Sequence, residues 1–327
     1  MYDYAMEKLV YQMFILGNDD LEAPLQKGLG GVIFFTKDIN TEEQLISDIK
    51  KINKLASIPP FISIDQEGGR VERTENIRSK RLSARFAFQK GADFLKRQAD
   101  EISNELSKWG FNLNFAPCID VNTNPSNPII GERAFSNDTD EVIKGGEIFI
   151  NSSRNFNIIP CIKHFPGHGD ADKDSHLELP KIDISLEEMF ETHIRPFKYF
   201  IEKNIEMVMV AHLHCTCFDE DIIPASLSKN VINFLRKDLN YNGVLISDDM
   251  RMKGVESFGR LDSLVNGIEA GLDMFIIRDS NPDTIKMIDK LVKIVEKDDN
   301  LKNKVIESNK RIERLKMEYK IIEAQIF

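Results

Sequence analysis

Ile158-Ile159-Pro160-Cys161-Ile162-Lys163-His164-Phe165-Pro166-Gly167-His168-Gly169-Asp170-Ala171-Asp172-Lys173-Asp174-Ser175-His176 starts as an apolar run and ends in a stretch crowded with histidine and aspartate. Residues 163–180 hold three of the chain's six histidines and three aspartates. That segment is too polar for a core strand, and Pro166, Gly167 and Gly169 supply tight turns. Residues 158–162 are short and apolar enough for a buried strand. The pattern is a strand that delivers a polar loop at its C-terminal end, a common place for chemistry.

The same pattern recurs along the chain. Short apolar runs at Met13–Leu16, Gly31–Phe35, Phe61–Ile64, Asn112–Pro117, Ile158–Lys163, Met207–Ala211, Val244–Ser247 and Asp273–Ile277 alternate with helix-length amphipathic segments. The helices include Thr41–Leu55, where Thr41 and Gln44 make a capping-box pattern, then Gly91–Trp109, Asp138–Asn155, Ser185–Asn204 and Asp262–Gly271. Eight strand–helix units predict an α/β fold, a (β/α)8 TIM-type barrel. Five of the strands end in polar residues: Asp65, Asp120, Lys163 with His164, His212 with His214, and Asp248 with Asp249. Barrel sites are built on those ends, so residues distant in sequence are expected to meet on one face. Two Lys- and Glu-rich helical stretches, Asn281–Glu296 and Leu301–Ala324, complete or pad the barrel as C-terminal helices. No Gly/Ser/Pro linker interrupts the chain, so residues 1–327 read as one domain.

Composition narrows the classes. Hydrophobic residues make up 42%, enough for a large core, and no apolar run approaches a membrane span. The net charge of −10 disfavours nucleic acid as a partner. The densest basic patch, Arg78, Lys80, Arg81 and Arg85, reads as a solvated loop. The N-terminus lacks a signal-peptide pattern, and Cys118, Cys161, Cys215 and Cys217 sit in or beside apolar runs, which suits a reduced cytoplasmic protein.

Two constellations carry chemistry. In Asp174-Ser175-His176 a carboxylate two residues from an imidazole can hydrogen-bond one ring nitrogen and favour the imidazolium, making a proton donor or simply a fastened loop histidine. In Ser247-Asp248-Asp249-Met250 an apolar strand delivers two acids, of which alternation lets only one face the barrel mouth. That acid could attack carbon, bind a metal or cap a helix. Metal templates fit poorly. Asp170-x-Asp172-x-Asp174 is followed by Ser175 and ends at Lys181, where a calcium loop needs Gly and Glu. His164-x-x-x-His168 contains Pro166 and Gly167, which disfavour a zinc-binding helix. Cys215-x-Cys217 with His212 and His214 has no second cysteine pair. Neither Gly28-Leu29-Gly30-Gly31 nor Gly145-Gly146 makes a phosphate loop. Neither a metal nor a cofactor is expected.

Lys163-His164-Phe165-Pro166-Gly167-His168-Gly169 followed by Asp174-Ser175-His176 resembles the signature of the β-N-acetylglucosaminidase branch of glycoside hydrolase family 3. Further blocks occur in the family's order: Ile64-Asp65-Gln66-Glu67-Gly68-Gly69-Arg70-Val71-Glu72-Arg73, Asn114-Phe115-Ala116-Pro117 with Asp120-Val121, Gly131-Glu132-Arg133-Ala134-Phe135, Pro224-Ala225-Ser226-Leu227-Ser228 and Ser247–Met252. The resemblance spans residues 13–274. It implies Asp248 as nucleophile, His176 as general acid/base, Asp174 as its orienting partner, and Asp65, Arg73, Arg133, Lys163 and His164 as sugar contacts. The expected activity is retaining exo-hydrolysis of terminal β-linked GlcNAc, from di- or oligosaccharides or muropeptides derived from cell wall or chitin. A phosphorylase on the same scaffold and a silent sugar-binding protein are the alternatives. The chain departs from the family pattern at Leu213–Cys217 and Thr74–Arg85, which bear on the pocket rim and on loop order.

Overall fold

Each barrel strand must be apolar on both faces, because one face packs inside the barrel and the other meets the helices. The sequence supplies this with runs such as Phe14-Ile15-Leu16 and Met207-Val208-Met209-Val210, all buried. A computed structural model describes residues 5–171 and 179–323. Its strands are β1 (Phe14–Gly17), β2 (Gly31–Phe34), β3 (Phe61–Ile64), β4 (Leu113–Asn114), β5 (Ile159–Phe165), β6 (Lys181–Ile182), β7 (Met207–Val210), β8 (His214–Cys215), β9 (Val244–Asp249) and β10 (Met274–Ile277). Among the described residues, β1, β2, β3, β4, β5, β7, β9 and β10 pair in parallel and in that order, and β10 returns to β1 to close the barrel. The expected (β/α)8 architecture is the observed one.

The small strands β6 and β8 were not anticipated. They form a two-stranded parallel sheet outside the barrel, and the His214 amide donates to the Pro180 carbonyl at 2.8 Å. This sheet ties the segment after β5 to the segment after β7. The fourth expected strand, Asn112–Pro117, is ladder-paired only at Leu113–Asn114. Asn112 spends its side chain accepting from the Ile62 amide at 2.8 Å, and Asn114 brackets Gln66.

Helix ends follow the sequence signals closely. Thr41 caps Glu42–Leu55 by accepting from the Gln44 amide at 3.2 Å, while the Gln44 side chain reaches back to the Asn40 amide rather than that of Thr41. Asp138 caps Thr139–Asn155, and Gly110 ends Ala92–Trp109 in the left-handed conformation that glycine adopts without strain. The single helix expected over Ser185–Asn204 carries a π-helical turn at Met189–Ile194 before continuing through Arg195–Glu202. The last helix runs Asp299–Glu318, shorter than expected, and Ala324 lies outside the described residues.

That helix closes the base of the barrel. Lys316 is fully buried, donating to Gln12 Oε1 and the Pro59 carbonyl at 2.8 Å each, with its ammonium 5.0 Å from the Phe61 ring centre. Burial pushes it down from 10.5 to about 7. The basic patch needs correction too. Arg81 is nearly buried and pairs with Glu72 and Glu105, while Arg78 bonds Glu42 and Glu105 at 2.8 Å and stacks 5.0 Å from Trp109. Acids brought in from Glu42, Glu72 and Glu105 turn the expected solvated loop into an ion-pair network. No helix among the described residues is long and apolar enough to cross a membrane.

Candidate active site

After β3 the chain turns back on itself. Gly68 and Gly69 hold φ of 96° and 64°, and the Glu67 amide donates to the Val71 carbonyl at 3.0 Å. A Cβ on Gly68 would also meet the Leu82 carbonyl oxygen at 2.5 Å, so glycine is required there. Gln66 locks this turn. Asn114 accepts from its amide and donates to its carbonyl, its side-chain oxygen accepts from the Arg73 amide at 2.9 Å, and its Nε2 donates to the buried Glu72 carboxylate. The turn thereby carries Asp65, Arg70 and Arg73 to the cavity at the barrel mouth, with Glu67 buried against Lys163.

Across the mouth, Lys163 on β5 is buried and donates to Asp65 Oδ1 at 2.8 Å. It also lies 2.5 Å from Glu67 Oε1. Arg133 grips Glu67 with two bonds, Nε to Oε2 at 2.9 Å and Nη2 to Oε1 at 2.8 Å. Burial by itself would raise the Glu67 carboxyl, but the charges and hydrogen bonds of Arg133 and Lys163 outweigh it and hold the group well below the ordinary carboxylate range. Glu67 is thus the counter-ion that lets two cations stand in a dry wall.

Asp120 organises the other side. Its carboxylate accepts from the His168 amide at 2.7 Å and from the His164 amide, faces His164 Nδ1 at 2.7 Å, and takes a weak bond from the Cys118 thiol at 3.3 Å. Since the carboxylate accepts from Nδ1, the His164 Nε2 that meets Arg133 Nη2 at 3.3 Å accepts in turn. Burial would raise the Asp120 carboxyl, and the His164 imidazole and the amide bonds bring it below its ordinary range. Cys118, Asp120 and His164 could form a three-ligand metal cluster. Asp120 is already saturated by these donors, and burial drives the Cys118 thiol up, away from the thiolate a metal needs. His212 and His214 spend Nδ1 on Ser226 and on the Ile223 carbonyl rather than converging with Cys215 and Cys217.

Asp248 and Asp249 part company as alternation demands. Asp248 lines the cavity, with its Oδ1 accepting from the Asp249 amide at 2.7 Å. Asp249 faces away, accepting from the Arg251 and Arg278 amides and pairing with Arg278 Nε at 2.8 Å, while burial raises it to about 6. Burial would raise Asp248 too, but the His164 and His212 imidazoles, the Asp249 amide and Lys163 keep it below the ordinary range, so it is a ready carboxylate near neutral pH.

The resulting cavity, about 340 Å³, is lined by Asp65, Arg73, Arg133, Lys163, His164 and Asp248, together with Arg70, His168 and apolar Val71 and Met209. All five sugar-contact candidates and the nucleophile candidate therefore meet on one face. Asp174 and His176 lie outside the described residues. Upstream of them Gly169 is seated tightly: a Cβ there would sit 1.7 Å from the Val121 carbonyl oxygen. Glu67, Arg70 and His168 escaped the sequence reading as site residues. Glu67 had one signal, its place two residues after Asp65 in a polar block at a strand end.

A sequence profile for the glycosyl hydrolase family 3 N-terminal domain matches residues 6–315. The chain belongs to glycosyl hydrolase family 3. Among its family relatives, a β-hexosaminidase of Photobacterium profundum is 35% identical over 272 residues, covering 81% of this chain and 79% of the relative. β-Hexosaminidase A of Pseudoalteromonas piscicida is 31% identical over 272 residues, and there the match covers 76% of this chain but 46% of the relative. The chain thus matches less than half the length of that family member. A solved family 3 β-N-acetylglucosaminidase from Paenibacillus sp. superposes with a TM-score of 0.91 at 29% identity, covering 99% of this chain and 64% of that one.

Proposed function

We propose that this family 3 chain is a retaining exo-β-N-acetylglucosaminidase that releases terminal β-linked GlcNAc from cell-wall or chitin-derived fragments. The observation that carries the reading is the ionised Asp248 in a cavity whose other walls alternate acceptors and donors: Asp65 against Lys163, Arg133 and His164. A neutral sugar needs such walls, because each hydroxyl can both give and take a hydrogen bond. Met209 and Val71 supply apolar surface for a ring face or an acetamido methyl. The names of the hexosaminidase and acetylglucosaminidase relatives support the same sugar.

In the first step Asp248 attacks C1 while His176, oriented by Asp174, gives its proton to the departing aglycone oxygen, leaving a glycosyl ester. In the second, His176 takes a proton from water as the water oxygen attacks C1 and the Asp248 carboxylate leaves. Two inversions restore the starting configuration. The partner is a small carbohydrate. A cytoplasmic setting fits the four free cysteines, since thiols persist where glutathione keeps them reduced.

Product analysis on a GlcNAc–MurNAc fragment and on chitobiose, with and without inorganic phosphate, tests the reading. Free GlcNAc released first as the β-anomer is the expected product. GlcNAc 1-phosphate appearing with phosphate would replace hydrolase by phosphorylase. Absence of turnover, aryl glycosides included, would leave a sugar-binding protein.

A further inference from the structure

The acid proposed to attack the sugar sits in an irregular stretch of β9. Met274 pairs with Ile246 but Ile276 pairs with Asp249, so on the β10 side Ser247 and Asp248 together stand opposite Phe275, as in a β-bulge. On the β7 side the register is regular, Met209 with Ile246 and Val210 with Ser247. The two residues that flank Asp248 both send their side chains to the β10 main chain and the residue just past it. The Ile276 amide donates to the hydroxyl of the fully buried Ser247 at 3.2 Å, and the Arg278 amide donates to Asp249 Oδ1 at 3.2 Å. Asp249 gathers two more partners: the Arg251 amide donates to Oδ1 at 3.0 Å, and Arg278 Nε pairs with Oδ2 at 2.8 Å. The chain beyond returns to β10, with the Met250 amide donating to the Ile276 carbonyl at 2.9 Å. Between these ties the Asp249 amide donates to Asp248 Oδ1 at 2.7 Å.

We propose that Ser247 and Asp249 are positioning residues for the nucleophile: they clamp the bulge to the β10 end, so that Asp248 faces the cavity with Oδ1 fixed by the Asp249 amide and Oδ2 presented to C1. A bulge breaks the regular ladder and re-aims a side chain, so the chain there needs anchors other than strand pairing. Ser247 and Asp249 supply them from either side of the residue being aimed. The aim matters because a reacting group displaced by ~1 Å can lose about 100-fold in rate. An amide donor also favours the ionised carboxylate. The clamp depends on an acceptor at Oδ1, where both amides converge, whereas the ion pair with Arg278 uses Oδ2. Asparagine keeps that Oδ1 acceptor, and the Arg278 side chain, 48% exposed, can turn to water when the ion pair is lost. Neither Ser247 nor Asp249 lines the cavity, so both act through Asp248.

The inference rests on Asp248 as the nucleophile, and one experiment separates the two claims. Asp249→Ala removes the whole clamp on its side, Asp249→Asn keeps the acceptor but not the charge, and Ser247→Ala removes the tie to Ile276. Each is assayed for kcat and KM on a nitrophenyl GlcNAc glycoside and for affinity toward a GlcNAc-like competitive inhibitor, and the parent is labelled with a fluorinated glycoside and mapped. Asp249→Ala should lower kcat and kcat/KM together by ~10–100-fold, with inhibitor affinity within about threefold of the parent. Asp249→Asn should recover kcat to within about fivefold of the parent, which a side chain that itself attacked C1 could not do. Ser247→Ala should lower kcat ~3–10-fold, the worth of one neutral hydrogen bond, again with inhibitor affinity held. With the label on Asp248, parental kcat in Asp249→Ala overturns the clamp alone, as does an Asp249→Asn enzyme no faster than Asp249→Ala. Equal losses in kcat and inhibitor affinity make the pair structural and overturn it as well. A label on Asp249 of the parent overturns the nucleophile assignment and the clamp with it. Should Asp249→Ala fail to fold, Ser247→Ala decides by the same readouts, parental kcat overturning the clamp.

Discussion

Glu67→Gln tests the claim that the cations lining the cavity are held by a buried counter-ion. The side chain of Glu67 is 4% exposed, that of Arg133 11% and that of Lys163 2%. Glutamine preserves the size but not the charge, and its amide must turn a donor toward one of two cations that are themselves donors. Removing one partner of a buried, hydrogen-bonded ion pair costs about 3–5 kcal/mol, because the remaining charge stays desolvated. Here Arg133 loses its carboxylate partner while Lys163 keeps Asp65, so the loss belongs within that range. Urea unfolding should show a lower midpoint at unchanged slope, and inhibitor affinity should fall as Arg133 and Lys163 seek other partners. Asp19→Asn is the control: its pair with Lys37 is roughly half exposed on both sides and should cost under about 1 kcal/mol. The pH dependence carries a sign. Glu67 is held below its unfolded value, so its contribution is complete above ~4.3 and fades as pH falls through the folded value. The parent should lose stability more steeply in acid than Glu67→Gln. A variant within about 1 kcal/mol of the parent, with a parallel acid curve, refutes the reasoning.

Lys316 titrates lower folded than unfolded, so between about 7 and 10.5 the unfolded chain holds the extra proton and stability rises with pH, by at most ~1.4 kcal/mol per unit. Lys316→Met should flatten that rise in urea titrations at pH 7 and 9; parallel curves would mean the ammonium is not desolvated. Gly169→Ala should lose most activity and more than about 2 kcal/mol of stability, since the Val121 carbonyl has to move, and with it the Thr123–Asp170 and Asn127–His168 bonds. Wild-type kinetics from that variant would show the loop to be loosely seated. His176→Ala should retain more activity on a nitrophenyl glycoside than on a natural disaccharide, because a good leaving group needs less proton donation. Equal loss on both substrates would send the search for the acid to Glu178.

Asp65, Lys163, His164 and Asp248 were legible because they close apolar runs, and a parallel barrel gathers strand ends on one face. Arg133 and Arg73 carry no such mark, since each reaches the mouth from a loop, and only the family blocks pointed to them. Glu67 and Asp120 were hidden in their roles for another reason. Their importance lies in charges brought from other strands, Lys163 and Arg133 in one case and His164 in the other, and pairing across a barrel leaves no local pattern. Arg81 is the same lesson reversed, a basic residue that read as solvated until Glu72 and Glu105 enclosed it. Strands β6 and β8, two residues each, are too short for any periodicity to register.

The central claim is that a carboxylate on β9 attacks the sugar, and its most direct test is to trap the enzyme with a 2-acetamido-derived fluorinated glycoside and map the labelled peptide by mass spectrometry. The account predicts a glycosyl ester on Asp248 and none in Asp248→Asn. A label on Asp249, which faces Arg278 rather than the cavity, or turnover without any trapped ester, would contradict it.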